Sequence, residues 1–226
     1  MKIISVIPAR GNSKGIPLKN LAKINGRPML DYTVMASLNS KLVNRTIVST
    51  DHKGILKVAE NLGAEVIKRP KKFAQDKSPI EPVIKHVLDY LEKKENYIPD
   101  IIISLQNTSP LRTSKHIDEA LSLLIKKNFD SIVSGYFAHA FFWEVKKKST
   151  IKPLNYNPQK RPNRQDMKLP FLENGAIYVT KYNSFKKTNC KIVGKIGYYK
   201  MPQELSYDID SPHDLFIVEQ IMKNKK

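Results

Sequence analysis

The sequence has almost no cysteine and no long hydrophobic run. Cys190 is the one cysteine among 226 residues, so no disulfide can form within the chain, and the composition suits a reducing cytosol. We expect its side chain to be half-buried. The first apolar run, residues 3–7, ends at Pro8, too short for a signal peptide or for a membrane span of about 20 residues. We therefore expect a cytoplasmic protein with no membrane as a partner.

Acidic residues are also scarce. The chain carries 39 lysines and arginines against 21 acidic residues, which gives a formal net charge of +18. A field of this sign attracts polyanions, so a basic nucleic-acid-binding module is one interpretation. The lysines are spread along the chain, however, and most pairs fall where predicted helices end and cations complement the helix dipole. We therefore expect no nucleic acid as a partner. The pairs and runs lie at 71–72, 93–94, 126–127, 146–148 and 223–226.

Short β-rich runs alternate with amphipathic stretches through residue 137. Apolar residues between Ile80 and Leu91 recur at steps of three and four, which marks one face of a helix. Strand–helix alternation predicts an α/β fold with a doubly wound, mainly parallel sheet and helices on both faces. Ligands of such sheets bind beyond the carboxyl ends of the strands. The predicted strands are 2–7, 45–49, 64–67, 100–105, 131–136, 176–180 and 191–193, and the predicted helices are 29–38, 55–62, 80–91, 114–127 with a Ser114 cap, and 211–222.

The pattern changes after residue 137. Residues 138–170 mix aromatic side chains, lysines and prolines, and residues 146–150 resemble the tip of a hairpin. A stretch of this length is an excursion from the main sheet and not a second full domain. We therefore expect a single domain over residues 1–226, with 138–170 as an insertion in it.

The loop after the first predicted strand, from Pro8 to Asn20, carries the strongest chemical signal. Its glycines and small polar residues let backbone amides approach a phosphate closely, and its arginine and lysines supply positive charge. The spacing of a Walker loop is absent, and a purely structural Gly/Lys turn is the alternative interpretation. We predict an anion-binding loop formed by Ala9, Arg10, Gly11, Asn12, Ser13, Lys14 and Lys19.

Two aspartates near the end of the chain, Asp208 and Asp210, are spaced for a metal ion. In an extended segment, residues i and i+2 point the same way, so both carboxylates can converge on one cation. Hard oxygen ligands beside a phosphate-binding loop favour Mg²⁺, for which Mn²⁺ can substitute. The alternative is that Asp210 or Ser211 caps the last helix, with Pro212 in its first turn.

Three further segments carry polar groups whose role the residues alone leave open. The turn at 106–112 ends a predicted central strand, and its amides and hydroxyls can hold a hydroxylated substrate. Asn174-Gly175 precedes a strand and is typical of a hairpin turn. Residues 160–165 are either an exposed basic loop or a clamp that holds a carboxylate through an arginine. The five histidines show no metal-ligand spacing, so we assign none of them to catalysis.

These runs, in this order, resemble the acylneuraminate cytidylyltransferases, the CMP-sialic acid synthetases. The resemblance extends from Ile7 to about Val218. It implies a Rossmann-like nucleotidyltransferase fold and a homodimer in which the excursion reaches the partner. It also implies that CTP and a nonulosonic (sialic-acid-like) sugar acid react to give a CMP-sugar and pyrophosphate. The runs that carry it are 8–15, 49–51, 106–112, 174–178 and 208–210.

The resemblance also implies a role for individual residues. Arg10, Lys14 and Lys19 would contact the triphosphate and, with Asp210, form the catalytic set. Asn20 would lie near the ribose. The remaining positions are Arg69 and Ser78 at the nucleotide, Gln106, Thr108, Ser109, Arg164 and Asn174 at the sugar, with Arg164 reaching it from the neighbouring subunit, and Asp208 and Asp210 at Mg²⁺.

One departure from the family concerns the sugar. Enzymes for N-acetylneuraminate commonly carry a second arginine two residues before the matching asparagine, and here that position is Leu172. A CMP-legionaminate or CMP-pseudaminate synthase is therefore an alternative within the family. Outside it, a nucleotide-sugar-dependent glycosyltransferase also uses an Asp-x-Asp pair, although the cationic loop after the first strand favours a full triphosphate.

Overall fold

Buried runs of β-branched residues form the centre of the molecule. The computed structural model describes residues 1–76 and 78–224. Within them, a seven-stranded sheet has the order β11-β7-β10-β6-β1-β4-β5. Its strands are β1 Ile3–Pro8, β4 Arg45–Thr50, β5 Glu65–Lys68, β6 Ile101–Leu105, β7 Ser131–Phe137, β10 Phe171–Lys181 and β11 Ile196–Lys200.

The sheet is mainly parallel, as predicted. Parallel ladders join β1 to β4 and β6, β4 to β5, and β7 to β11. Strand β10 runs antiparallel to both of its neighbours, β6 and β7. The carboxyl ends of the parallel strands therefore meet at one edge, where ligands of such sheets bind.

Helices cover both faces of the sheet, which confirms the doubly wound prediction. The helices are α1 Met29–Leu38, α2 Lys53–Asn61, α3 Glu81–Glu95, α4 Ser114–Lys127, α5 Tyr182–Thr188 and α6 Pro212–Lys223. Strand β1 serves both cores because its side chains alternate: Ile3 and Ile7 pack with α1, α2 and α4, and Ile4 and Val6 pack with α3 and α5. Each face buries its own apolar cluster.

Most predicted elements are confirmed within one or two residues, including the apolar stripe of α3. The helices α3 and α4 end at Asn96 and Asn128, which adopt the left-handed conformation that closes a helix, and lysine pairs occupy their last turns. None of the described helices is long and apolar enough to cross a membrane. Of the terminal basic run, Lys225 and Lys226 lie outside the described residues.

Three predictions of local structure are wrong. The cap of α4 is Thr113, which forms a capping box with His116, and Ser114 is the first helical residue. Residues 191–193 are not a strand, because side chains hold their backbone: the hydroxyl of Ser131 accepts a hydrogen bond from the Val193 amide at 3.0 Å. The strand comes later, at β11.

Asn174-Gly175 is not a hairpin turn. Both residues lie inside β10, where the register with β7 shifts between Glu173 and Tyr178. Gly175 has φ +69°, a conformation that glycine adopts without strain. The pair therefore forms a β-bulge, which bends the strand at the end nearest the carboxyl edge of the sheet.

Residues 138–170 contain a small hairpin that projects from the sheet. Strands β8 Trp143–Val145 and β9 Ile151–Pro153 pair antiparallel, so the tip at 146–150 is confirmed. A second two-stranded ribbon, β2 Lys23–Ile24 with β3 Arg27–Pro28, follows the Pro8–Asn20 loop and leads into α1. The single-domain boundary over residues 1–226 stays a prediction.

Candidate active site

The loop after β1 is held from below by the ends of neighbouring strands. The Ala9 amide donates to the Ser49 carbonyl at 2.9 Å, and the Gly11 amide donates to Asp51 Oδ1 at 2.9 Å. Ala9 is buried, and a β-carbon on Gly11 would come within 3.0 Å of the His52 side chain. The loop is therefore fixed by packing and hydrogen bonds at its start, while Asn12 and Lys14 remain exposed.

Buried amides hold the end of the same loop. Asn20 Nδ2 donates to the Arg10 carbonyl at 2.8 Å, and Asn107 Nδ2 donates to Asn20 Oδ1 at 2.9 Å. Ser13 Oγ donates to the Ile16 carbonyl at 2.6 Å and accepts the Lys19 amide at 3.0 Å. Asn107, which we did not assign from sequence, thus links the β6 loop to the cationic loop.

Lys19 and Gly15 join this loop to the segment that carries both aspartates. Lys19 Nζ donates to the Ile209 carbonyl at 2.9 Å and to Asp210 Oδ1 at 2.8 Å. Gly15 lies so close to this segment that a β-carbon there would stand 2.1 Å from the Asp210 carbonyl oxygen. The predicted phosphate-binding loop and the predicted metal ligands are therefore in direct contact.

Burial alternates along the segment that carries Asp208 and Asp210. Ile209 between them is fully buried, and both aspartates are exposed. Ser211 is the cap of α6, where its hydroxyl accepts the Asp214 amide, so the capping role does not occupy Asp210. Of the two alternatives for the cap, Ser211 is the one observed, while the metal role of the two carboxylates stays a prediction.

The electrostatics of Asp208 favour a nearby cation. Its outer side meets solvent, but the protein surrounds the rest of the carboxyl, and this desolvation raises its pKa above the ordinary value. The Thr108 hydroxyl opposes this shift, and the negative charge of Asp210 adds to it. A cation bound beside the Asp208 carboxyl would offset both the desolvation and the repulsion from Asp210.

Arg69 places a buried positive charge beside the loop. Its side chain is 5% exposed, and its Nη2 donates to the Ser49 carbonyl at 2.7 Å. Desolvation lowers its pKa to about 10, so the guanidinium is still charged at neutral pH. No salt bridge among the described residues reaches Arg69. The negative charge of Asp51 raises the pKa of Arg69 only from a longer distance.

Arg112 braces the loop after β6. It is buried, and its Nη1 donates to the carbonyls of Gln106 at 3.1 Å and Ala176 at 2.8 Å, while Nη2 donates to Thr33 Oγ1 at 2.7 Å. Burial lowers its pKa to about 9. This arginine therefore fixes the backbone of Gln106 relative to β10 and α1.

These elements enclose a cavity of about 290 Å³ at the carboxyl edge of the sheet. Nine of the residues assigned from sequence or resemblance line this cavity. Those that line it are Arg10, Ser13, Lys19, Asn20, Arg69, Ser78, Gln106, Thr108 and Asp210. The structure therefore brings together groups from the nucleotide, sugar and metal sets, while their roles stay predictions.

Three residues assigned to the sugar do not line this cavity. Ser109 is buried and donates to the Asn174 carbonyl at 3.3 Å and to Asp208 Oδ1 at 3.4 Å. The Asn174 side chain is turned inward, where Oδ1 accepts from Ser134 at 2.6 Å and Nδ2 donates to Ser206 at 2.9 Å. Arg164 lines a different cavity, beneath the excursion.

Several residues that line the cavity carry no motif in the sequence, among them Phe73, Gln75 and Asp76. These three lie between β5 and α3, in a polar stretch without periodicity. Asp76 lies beside two cations of the loop, with Oδ1 3.4 Å from Arg10 Nη1 and Oδ2 3.3 Å from Lys14 Nζ.

A parallel α/β sheet with a cationic loop at its carboxyl edge and two aspartates beside it defines a nucleotide-binding protein of the nucleotidyltransferase type. Residues 4–225 match the family model described as cytidylyltransferase, and the chain belongs to that family.

Individual relatives agree with the family assignment. The chain is 37% identical over 221 residues to N-acylneuraminate cytidylyltransferase A of Danio rerio, with 96% of this chain and 50% of the relative covered. It is 32% identical over 233 residues to the post-translational flagellin modification protein B of Campylobacter coli, with 99% of this chain and 96% of the relative covered. The chain spans about half the length of the first of these relatives.

The structural match concerns the fold alone. A CMP:2-keto-3-deoxy-manno-octonic acid synthetase, solved in complex with CTP, superposes with a TM-score of 0.71 at 18% identity, with all of both chains covered. This confirms the Rossmann-like architecture predicted from the resemblance.

Gly15→Ala tests the contact between the loop and the aspartate segment. The added methyl group cannot fit 2.1 Å from the Asp210 carbonyl, so one of the two segments must move. We expect the free energy of unfolding to fall by about 1–3 kcal/mol and amide hydrogen exchange to accelerate at residues 206–211. Asn12→Ala, an exposed change in the same loop, is the control and should alter neither. Unchanged exchange in the Gly15 variant would contradict this contact.

Proposed function

We propose that this chain transfers CMP from CTP to the C2 hydroxyl of a nonulosonic acid and releases pyrophosphate. The buried, charged guanidinium of Arg69 is the observation that carries the proposal. An arginine that the protein desolvates without a paired carboxylate has its charge available for a ligand. Arg10 and Lys19 line the same cavity, so the site is built for an anion with several charges.

Mg²⁺ fits the donor set of the site. Asp208 and Asp210 offer hard carboxylate oxygens on either side of the buried Ile209, and a bound cation would offset the desolvation that raises the pKa of Asp208. Mg²⁺ is commonly held by one or two carboxylates and takes its other ligands from phosphates and water. When bound, Mg²⁺ would polarise phosphate oxygens as a Lewis acid.

The residues themselves would act mainly by positioning and by charge. The C2 hydroxyl oxygen forms a bond to the α-phosphorus in line, the proton of that hydroxyl passes to water, and the bond from the phosphorus to the bridging oxygen of pyrophosphate breaks. Arg10 and Lys14 would stabilise the charge that develops on the leaving pyrophosphate. Gln106 and Thr108, on the β6 side of the cavity, would hold the sugar hydroxyls.

We infer that the acceptor presents an apolar group to Leu172. Leu172 and Arg164 line one cavity of about 750 Å³ beneath the excursion, together with Phe142 and Met167. A leucine has no donor for a hydroxyl, so its side chain favours an apolar substituent of the acceptor. This composition supports legionaminate or pseudaminate as alternatives to N-acetylneuraminate. The similarity to the Campylobacter flagellin modification protein over nearly its full length agrees with it.

We also propose a homodimer formed through the excursion. The β8–β9 hairpin exposes Val145 at 75%, Leu154 at 61% and Ile151 at 56%, an apolar surface that a second subunit would cover. Arg164 belongs to the same excursion and lies outside the nucleotide cavity of its own chain. A partner subunit could therefore receive it at its sugar site.

A pyrophosphate-release assay tests the reaction and its acceptor together. With CTP and Mg²⁺, we expect release with at least one of N-acetylneuraminic, legionaminic and pseudaminic acids, and little with Kdo. Asp210→Asn should keep the fold and lower turnover at least about 100-fold, because one metal ligand is lost. Asp89→Asn removes the same charge from an exposed pair with Lys85 and is the matched control.

This assay and two further measurements separate the alternatives. If none of the acids in the panel supports pyrophosphate release, the proposed acceptor class is refuted. Near-normal turnover of the Asp210 variant would refute its role at the metal. Consumption of a nucleotide sugar without pyrophosphate would instead indicate a glycosyltransferase. A salt-sensitive gel shift of DNA or RNA would indicate the nucleic-acid-binding alternative.

Asp208→Asn separates stability from metal binding. Since the folded-state pKa of Asp208 is raised, its ionised form costs stability at neutral pH, and that cost disappears as pH falls through the raised pKa. The amide removes the cost, so without metal we expect a higher Tm than wild type at pH 7 and a difference that shrinks towards acid pH. Added Mg²⁺ should raise the Tm of the wild type and not of the variant. Equal Mg²⁺ responses, followed by differential scanning fluorimetry, would contradict the assignment.

A further inference from the structure

The Asp76 carboxylate lies between two cations of the loop that faces the cavity. Its Oδ1 is 3.4 Å from Arg10 Nη1, and its Oδ2 is 3.3 Å from Lys14 Nζ. The neighbouring carbonyl of Gln75 accepts a hydrogen bond from the same Arg10 nitrogen at 2.8 Å. Arg10, Gln75 and Asp76 all line the cavity. Two oxygens on one carbon, each facing a different cation, reproduce what a phosphate group offers to these side chains.

We propose that Asp76 is an internal competitor of the ligand's phosphates and thereby weakens the binding of polyphosphates to the site, pyrophosphate included. This inference rests on the proposed function, because it requires a polyphosphate at Arg10 and Lys14. A carboxylate and a phosphate that face the same two cations repel each other and compete for the same positive charge. An anion that binds Arg10 and Lys14 therefore either displaces Asp76 or binds less tightly because of it.

The exchange is feasible because the Asp76 contacts are exposed and weak. The exposed fractions of the side chains are 39% for Asp76, 30% for Arg10 and 79% for Lys14, a range in which ion pairs contribute little and are screened by salt. The backbone next to Asp76 is better anchored: Ala74 is buried, and the Ser78 amide donates to the Gln75 carbonyl at 3.0 Å. The carboxylate can rotate away while the flanking chain stays in place.

Competition of this kind acts only on ligands that use these two cations. A triphosphate replaces the single charge of Asp76 with several and still binds, although less tightly than it would without Asp76, whereas the binding of a nucleoside without phosphate does not depend on Asp76. The same competition acts on the product, because Asp76 can pair again with both cations and displace pyrophosphate. Asp76 therefore weakens the binding of substrate and of pyrophosphate by the same contact.

Binding measurements on Asp76→Asn test the proposal with the ligand as the variable. Isothermal titration calorimetry with CTP, inorganic pyrophosphate and cytidine is run on wild type and variant, with EDTA and then with Mg²⁺. We expect CTP and pyrophosphate to bind about three- to tenfold more tightly to the variant, and cytidine to bind equally to both. The inhibition constant of pyrophosphate in the turnover assay should fall by the same factor. Asp89→Asn, with the same change in net charge at a distant exposed pair, should match wild type in every arm.

Other results would overturn the inference. Unchanged or weaker pyrophosphate binding to Asp76→Asn would show that Asp76 does not compete for these cations. A loss confined to the Mg²⁺ arm would show that it supports the metal instead. Asp76→Ser repeats the test with a smaller side chain, should the asparagine disturb the loop. Tighter pyrophosphate binding in a protein that turns over no acid of the panel would refute the proposed function while leaving the competition intact.

Discussion

The ammonium group of Lys19 connects the two ends of the chain at the site. It bonds the Ile209 carbonyl and the Asp210 carboxylate, 190 and 191 residues further along the sequence. The side chain is only 12% exposed, so water competes poorly for these bonds. The close packing of Gly15 on the same segment removes the remaining space between them. Without this contact, the anion-binding loop and the aspartates would be separate surface features.

Buried arginines give the site its electrostatic character. Arg112 and Arg69 are desolvated without carboxylate partners, and both use carbonyl oxygens of adjacent strands as acceptors. Such groups cost stability, which a fold tolerates where the charge serves a purpose. For Arg112 that purpose is to hold the backbone of the β6 loop, and for Arg69 it is the charge that we propose for the ligand. Arg10 and Lys14 pair with Asp76, and we propose that this pairing weakens their attraction for a bound anion.

The sequence predicts the scaffold well because apolar periodicity is a local property. Helix 29–38 and helix 114–127 agree with the structure to the residue. Errors arise where distant side chains decide the backbone. The strand expected at 191–193 is prevented by hydrogen bonds from other segments, and Asn174-Gly175 forms a bulge because the strand continues beyond it. The contact of Val193 with Ser131 and the pairing of β10 with β7 both join residues distant in sequence, so a local pattern does not show them.

The site was predicted in part for the same reason. Motifs with glycine, lysine and paired aspartates mark residues that we expect to contact a ligand directly, whereas Asn107 and Asp76 act through tertiary contacts across the cavity.

We propose above all that the cationic loop and the aspartate pair form one triphosphate site. A crystal structure with Mg²⁺ and a non-hydrolysable CTP analogue tests this most directly. We expect the phosphates between Arg10 and Arg69, with the ion on Asp208 and Asp210. Phosphates bound away from this loop, or an ion held by other residues, would contradict the account.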